Sequence, residues 1–239
     1  MADKVLVTGV SGFIAKHVAL QLLLKGYEVR GTIRALDKAI KVQKTLEQAG
    51  ADVARLSFAA ADLESDRGWE EAAKGCDGVM HIASPFPLSQ PRERNALTPA
   101  ARSGALRVLS AAKKAGHIVM TSSVAAMMYR PGRPPVFAFG EEDWTDPEWR
   151  ALTPYILSKT EAELAAWDAA VIGGFKHRLT VVNPALVLGP PLDDDFGASL
   201  SLVQFLLAGA YPAIPPVAYP IVDVRDVAAL HVAALEEPN

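Results

Sequence analysis

Along the chain, short apolar runs alternate with longer stretches in which apolar side chains return every third or fourth position. The first kind, read as strands, falls at Lys4–Thr8, Tyr27–Ile33, Leu56–Ala61, Gly78–Ile82, His117–Ser122 and Leu179–Asn183. The second kind, read as helices, falls at Ile14–Lys25, Asp37–Gln48, Pro99–Ala115 and the segment beginning at Tyr155. Half-buried strands alternate with a period of two, whereas these are almost continuously apolar, as expected where helices cover both faces of a sheet. Strand and helix in turn predict βαβ units and an α/β fold with a doubly wound parallel sheet. From Gly189 the chain becomes Pro-rich and less regular, with helices near Ser199–Leu207 and after Asp223. That part reads as a small, incomplete C-terminal cap.

The turn after the first strand is Thr8-Gly9-Val10-Ser11-Gly12-Phe13-Ile14-Ala15, and it opens the first helix. Glycines there let the backbone turn sharply and approach a pyrophosphate, whose charge then rests on free N–H groups at the helix N-terminus. The spacing is Gly-x-x-Gly-x-x-Ala, with Ala15 at the small position where helix packs on strand; a ligand-free glycine turn is the competing reading. Thr8, Gly9, Ser11, Gly12, Phe13 and Ile14 are thus candidate cofactor contacts. The expected fold is Rossmann-type, with a dinucleotide-binding domain over residues 1–188. Residues 189–239 form a partial substrate-binding cap, whose strand and helix near 217–235 could return to the main domain.

Strand two ends Gly31-Thr32-Ile33-Arg34, and Lys38 and Lys41 follow in the next helix. An NAD site would place a carboxylate at that strand end to meet the ribose hydroxyls. A guanidinium with a nearby ammonium suits a 2′-phosphate instead, so Arg34 and Lys41 favour NADP(H) over NAD(H). A solvated basic helix start is the alternative. Asp62 and Leu63 follow strand three, where the carboxylate could meet an adenine or simply cap a helix.

Composition narrows the class. The 239 residues include 24 Lys and Arg against 27 Asp and Glu, a net charge of −3 with no basic run for a nucleic acid or membrane surface. Cys76 is the single cysteine, which excludes an internal disulfide and a Cys-rich metal site, and it reads as a packing residue. No secretory leader or membrane-length apolar run is visible, so a cytoplasmic protein is expected. His, Asp and Glu nowhere group at metal-ligand spacing, and no metal is expected.

Tyr155-Ile-Leu-Ser-Lys159 continues into Thr160-Glu-Ala-Glu-Leu-Ala-Ala-Trp, a helical pattern. Spacing of four places phenol and ammonium on one face, a turn apart. A phenol is a weak proton donor near neutrality; a close ammonium stabilises its phenolate and makes it a usable acid–base. Ser123 follows strand five, at the C-terminal sheet edge where ligands bind in such folds, and could hydrogen-bond a substrate oxygen. Ser123, Tyr155 and Lys159 are therefore the candidate catalytic set.

With Gly75–Pro85, Val182–Pro190 and Val222–Ala228 added to these motifs, the chain resembles the extended short-chain dehydrogenase/reductase family. Within it, the similarity is to the branch of dihydroflavonol reductase, cinnamoyl-CoA reductase and aldehyde or methylglyoxal reductases. The resemblance implies catalytic roles for Ser123, Tyr155 and Lys159, phosphate binding by Arg34 and Lys41, cofactor contacts from Ala83 and Ser84, and Pro184 and Leu186 along the nicotinamide. Gly104-Ala105 departs from the family's usual Gly-Thr. Family members also run about a third longer, so the end at Asn239 is read as a truncation. Pro85, Met127 and Tyr129 are candidate substrate-pocket residues, although ordinary loop packing explains the last two equally well.

The expected activity is NADPH-dependent reduction of a small aldehyde or ketone, with Tyr155 as proton donor, in a monomer or homodimer. Arg34 weighs against a nucleotide-sugar epimerase or dehydratase with bound NAD. Intact Tyr155 and Lys159 weigh against a non-catalytic nucleotide sensor.

Overall fold

The structure, a computed structural model, describes residues 4–85, 91–134, 136–210 and 218–237. Six parallel strands, β1 (Lys4–Val7), β2 (Glu28–Ile33), β3 (Leu56–Ala60), β4 (Gly78–His81), β5 (His117–Thr121) and β6 (Leu179–Val182), lie in the order β3-β2-β1-β4-β5-β6. The order reverses between β1 and β4, and the C-terminal ends of those strands flank the crevice where such folds take ligands. A separate parallel pair joins β7 (Leu186–Leu188) to β8 (Ile221–Asp223).

Successive residues of a strand face opposite sides of the sheet, and this divides the core. Val5 and Val7 pack on one side with Val18, Leu22 and Leu46, from α1 (Phe13–Leu24) and α2 (Ala39–Gln48). Leu6 faces the other way, against side chains such as Trp69 of α3 (Trp69–Ala73), Val108 of α4 (Thr98–Ala111) and Ala166 of α6 (Pro154–Ile172). Each large aliphatic side chain so buried contributes about 1.5–3 kcal/mol against exposure. A short helix, α5 (Ala125–Met128), follows β5, and α7 (Gly197–Leu207) lies beyond β7.

The final helix, α8 (Val224–Glu236), packs on α1 and β5. That cover explains why α1 is apolar nearly all round, where a surface helix would carry a polar face. The Asp223 carboxylate caps α8 by accepting from the Arg225 amide at 2.8 Å. The start of the expected 217–235 strand and helix, Pro135 in the Arg130–Val136 loop and the terminal Asn239 lie outside the described residues.

Two expectations about local structure are corrected. No helix begins at Asp62; its carboxylate accepts from the Glu64 amide at 3.0 Å and caps a turn. The Trp69 indole fixes that turn by donating to the carbonyls of Asp62 and Ser65. The helix expected to reach Ala115 ends at Ala111, because Ala115 N–H turns back to Ala112 and Gly116 N–H is taken by the Asp77 carbonyl at 2.7 Å. Among the described residues no helix is long and apolar enough to cross a membrane.

Candidate active site

The loop after β1 is held between its neighbouring strands. Thr8 N–H donates to Met80, Val10 N–H donates to Thr32, and the Gly9 amide donates to the Thr32 hydroxyl at 2.9 Å. Gly9 sits at φ +63°, and a Cβ there would lie 2.9 Å from the Cβ of Ala83. Only glycine meets both demands, a left-handed backbone and close approach to the loop after β4. Gly12 begins α1 in an extended conformation with no side-chain cap. The first amides of α1 therefore have no capping side chain, and a helix N-terminus in that condition favours an anion. An open helix end, a glycine turn and Arg34 exposed just past β2 together fit a phosphorylated dinucleotide.

Lys41 points toward the loop beyond β7, where its ammonium pairs with Asp194. This contact raises the Lys41 ammonium above its ordinary range. Beside it, the Lys16 side chain is 1% exposed, and its ammonium pairs with Asp193, with Asp195 at 3.8 Å. Asp193 also accepts from the Thr45 hydroxyl of α2 at 3.3 Å. Burial is the largest single influence and opposes the Asp193 charge, but the hydrogen bonds from Lys16, the Asp195 amide and Thr45, with the Lys16 charge, together outweigh it and the carboxyl sits below its usual range.

Across the sheet, α6 starts cleanly. The Thr153 hydroxyl accepts from the Ile156 amide at 3.3 Å, and Pro154 presets the first helical residue. Tyr155 and Lys159 follow on one face, with the ammonium 5.9 Å from the phenol ring centroid. Ser123, just past β5, is buried, and its hydroxyl accepts from the Ala125 amide at 3.2 Å. A cleft of about 300 Å³, counted with its open mouth, brings Lys159 together with Leu63, Ala83, Ser84, Pro85 and His81. These residues come from three separate segments: the stretch after β3, the end of β4 with the residues that follow it, and α6.

Tyr129 lies near the site. Burial pushes its phenol up, and the neighbouring phenols of Tyr219 and Tyr155 add to the effect. The Met127 carbonyl accepts from Arg133 at 2.5 Å, which ties this segment to its own loop. The Pro184 carbonyl accepts from the Val124 amide at 3.1 Å, and Leu186 opens β7 by donating to the Pro220 carbonyl. His117 and His231 are bonded within the fold, to Thr180 at 3.0 Å and to Thr121 at 2.6 Å. Cys76 is buried, and that burial raises its thiol. Among the described residues no three His, Cys, Asp or Glu side chains group as metal ligands.

Several residues of the site escape sequence reasoning. Lys16 carries no signal beyond being a lysine on an apolar helix, and the Asp193–Asp195 run that meets it is remote in sequence. Glu163 and Asn183 are likewise silent, although Glu163 stands one turn beyond Lys159, a spacing that could have drawn notice.

The description "NAD dependent epimerase/dehydratase family" matches residues 5–239. Cinnamoyl-CoA reductase 1 of Arabidopsis thaliana is 37% identical over 239 residues, covering 98% of this chain and 67% of that protein. Tetraketide alpha-pyrone reductase 1 of the same plant is 37% identical over 243 residues, covering 98% and 72%. Among solved structures, yeast methylglyoxal/isovaleraldehyde reductase Gre2 complexed with NADPH aligns with a TM-score of 0.84 at 28% identity, covering 98% of this chain and 74% of that one. With a sheet order that opens a crevice at β1 and β4, and a family match over nearly its whole length, the chain belongs to the NAD dependent epimerase/dehydratase family, in its cinnamoyl-CoA reductase-like branch.

Proposed function

We propose that the chain is an NADP(H)-dependent reductase of small aldehydes or ketones, with Ser123, Tyr155 and Lys159 as its catalytic residues. The observation that carries this reading is the Tyr155–Lys159 pair, one helical turn apart, with the lysine lining the cleft that the β4 loop also lines. A reduced nicotinamide dinucleotide would supply hydride to the carbonyl carbon. Gly9, Gly12 and the first amides of α1 would hold its pyrophosphate, while Arg34 and Lys41, the latter leaving Asp194, would hold the 2′-phosphate. Relatives named as reductases, one of them solved with NADPH, support that choice.

The protein's own work is to bind, orient and move one proton. Ser123 donates a hydrogen bond to the substrate oxygen and fixes its direction. The Tyr155 hydroxyl delivers a proton to that oxygen as negative charge builds on it, and the Lys159 ammonium stabilises the phenolate left behind. Half-buried Tyr129 and Met127, with Pro85, would face the rest of the substrate. In this reading residues 1–188 form the dinucleotide-binding domain and 189–239 the partial cap, with α8 serving the main domain.

The test is a screen of NADPH and NADH oxidation against aliphatic, aromatic and dicarbonyl substrates. Turnover should favour NADPH, and Tyr155→Phe should lower kcat by about 100-fold or more while leaving NADPH affinity in place. A purified protein that carries tightly held NAD, or a Tyr155→Phe variant as active as the parent, overturns the reading.

A further inference from the structure

Tyr155, Lys159 and Glu163 stand at successive turns along one face of α6. The first two have roles in the proposed reduction; Glu163 has none, yet the residue is buried, 5% exposed. A carboxylate is costly to bury unless its oxygens are bonded. One oxygen of Glu163 accepts from the Asn183 side-chain amide at 2.8 Å, and the other accepts from the Trp167 indole at 3.4 Å.

Asn183 lies just past β6, and the same amide nitrogen donates its second hydrogen to the main-chain carbonyl of Ser123 at 3.1 Å. The backbone on either side is held too. Ser122 N–H donates to Val182 at 2.8 Å and Val124 N–H to Pro184 at 3.1 Å. Residues 182–184 thus grip residues 122–124 rung by rung, and the middle rung is a side chain. An amide with both hydrogens committed has one orientation, and Glu163 sets which. A chain of two hydrogen bonds therefore runs from the helix carrying Tyr155 and Lys159 to the peptide carrying the Ser123 hydroxyl.

We propose that Asn183 and Glu163 are positioning residues for the reduction: the Glu163 carboxylate orients the Asn183 amide, which holds the Ser123 carbonyl and so keeps the Ser123 hydroxyl in register with Tyr155 and Lys159. This rests on the reductase reading above. Loss of the link misplaces a donor needed most in the transition state, so it slows turnover without touching the dinucleotide crevice.

The experiment compares Asn183→Ala, Asn183→Asp, Glu163→Leu and Glu163→Gln in the full chain. It reads kcat and KM on the best carbonyl of the screen, NADPH affinity, and amide hydrogen exchange across residues 121–128. Asn183→Ala and Glu163→Leu should lower kcat roughly 10- to 100-fold, with NADPH affinity within about 2-fold of the parent. Glu163→Gln keeps a side-chain oxygen for Asn183 and should recover most of the rate that Glu163→Leu loses. Asn183→Asp has the same shape but turns a donor into an acceptor, so it should match the alanine variant even if alanine weakens folding. Exchange over 123–126 should quicken in both Asn183 variants and stay near the parent in Glu163→Gln. A parental kcat in both Asn183 variants, or a Glu163→Gln as slow as Glu163→Leu, overturns the proposal. NADPH affinity falling in step with kcat also overturns it. If the parent reduces no carbonyl, the reductase reading fails, and exchange alone then decides the link: unchanged exchange in the Asn183 variants sinks it.

Discussion

The Thr8 hydroxyl accepts the amides of Ile82 and Ala83 at 3.0 and 2.9 Å, which leaves its own proton for Nδ1 of His81 at 3.1 Å. Both lone pairs of Thr8 are used, so His81 must accept at Nδ1 and carry its hydrogen on Nε2. The bond ties the end of β1 to the end of β4 at the crevice and keeps the imidazole neutral.

Stability should therefore fall as pH is lowered from about 6.5. Burial, with help from the Lys159 charge, lowers His81 to about 3. Between the ordinary histidine value and that one, the unfolded chain binds a proton that the folded protein refuses, so unfolding gains with acidity. His17, His117 and His231 are also lowered, mainly by burial, and act in the same direction. Urea denaturation in the mildly acidic range should show His81→Asn losing up to about 1.4 kcal/mol per pH unit of the parent's slope. An unchanged slope would show that His81 is not buried neutral.

The Lys16–Asp193 pair should matter far more to stability than its neighbour. Lys16 is enclosed, and Asp193 spans from it to Thr45. Asp193→Ala leaves an ammonium buried with Asp195 as a distant partner, and should cost about 3 kcal/mol by chemical denaturation. Replacing both, as Lys16→Met with Asp193→Leu, should recover much of that loss. Lys41 and Asp194 are exposed, and Lys41→Ala should leave the midpoint unmoved.

Cofactor choice gives Lys41 a separate test. If Arg34 and Lys41 take a 2′-phosphate, removing either should weaken NADPH by about 10- to 100-fold and leave NADH nearly unchanged, because the lost bonds are charge-assisted contacts to that phosphate alone. Equal losses for both nucleotides in a fluorescence titration would refute the assignment.

Gly9→Ala should be damaging for two separable reasons. The left-handed backbone costs an alanine roughly 1–2 kcal/mol. The new methyl also meets Ala83 at 2.9 Å. Adding Ala83→Gly should restore the part due to contact and leave the part due to φ, which a double-mutant cycle on thermal stability and NADPH affinity would separate.

What the sequence determined by itself is what depends on near neighbours. A four-residue step on a helix puts Lys159 beside Tyr155, whatever the rest of the chain does. Glycines at 9 and 12, directly after an apolar run, announce a turn into a helix that a capping side chain does not close. Continuous apolar strands imply helices on both faces, and the parallel sheet follows from them. Chain pattern reports which face of an element is buried, but not which distant group it meets. Lys16 and Asp193 are 177 residues apart, Thr8 and His81 are 73, and Asn183 reaches Ser123 across 60. Those partnerships come from strand order and helix docking, where each buried polar atom takes whatever donor or acceptor the packing delivers. Tertiary structure alone decided them, because burial makes an unmet hydrogen bond costly while leaving its partner's position in sequence unconstrained.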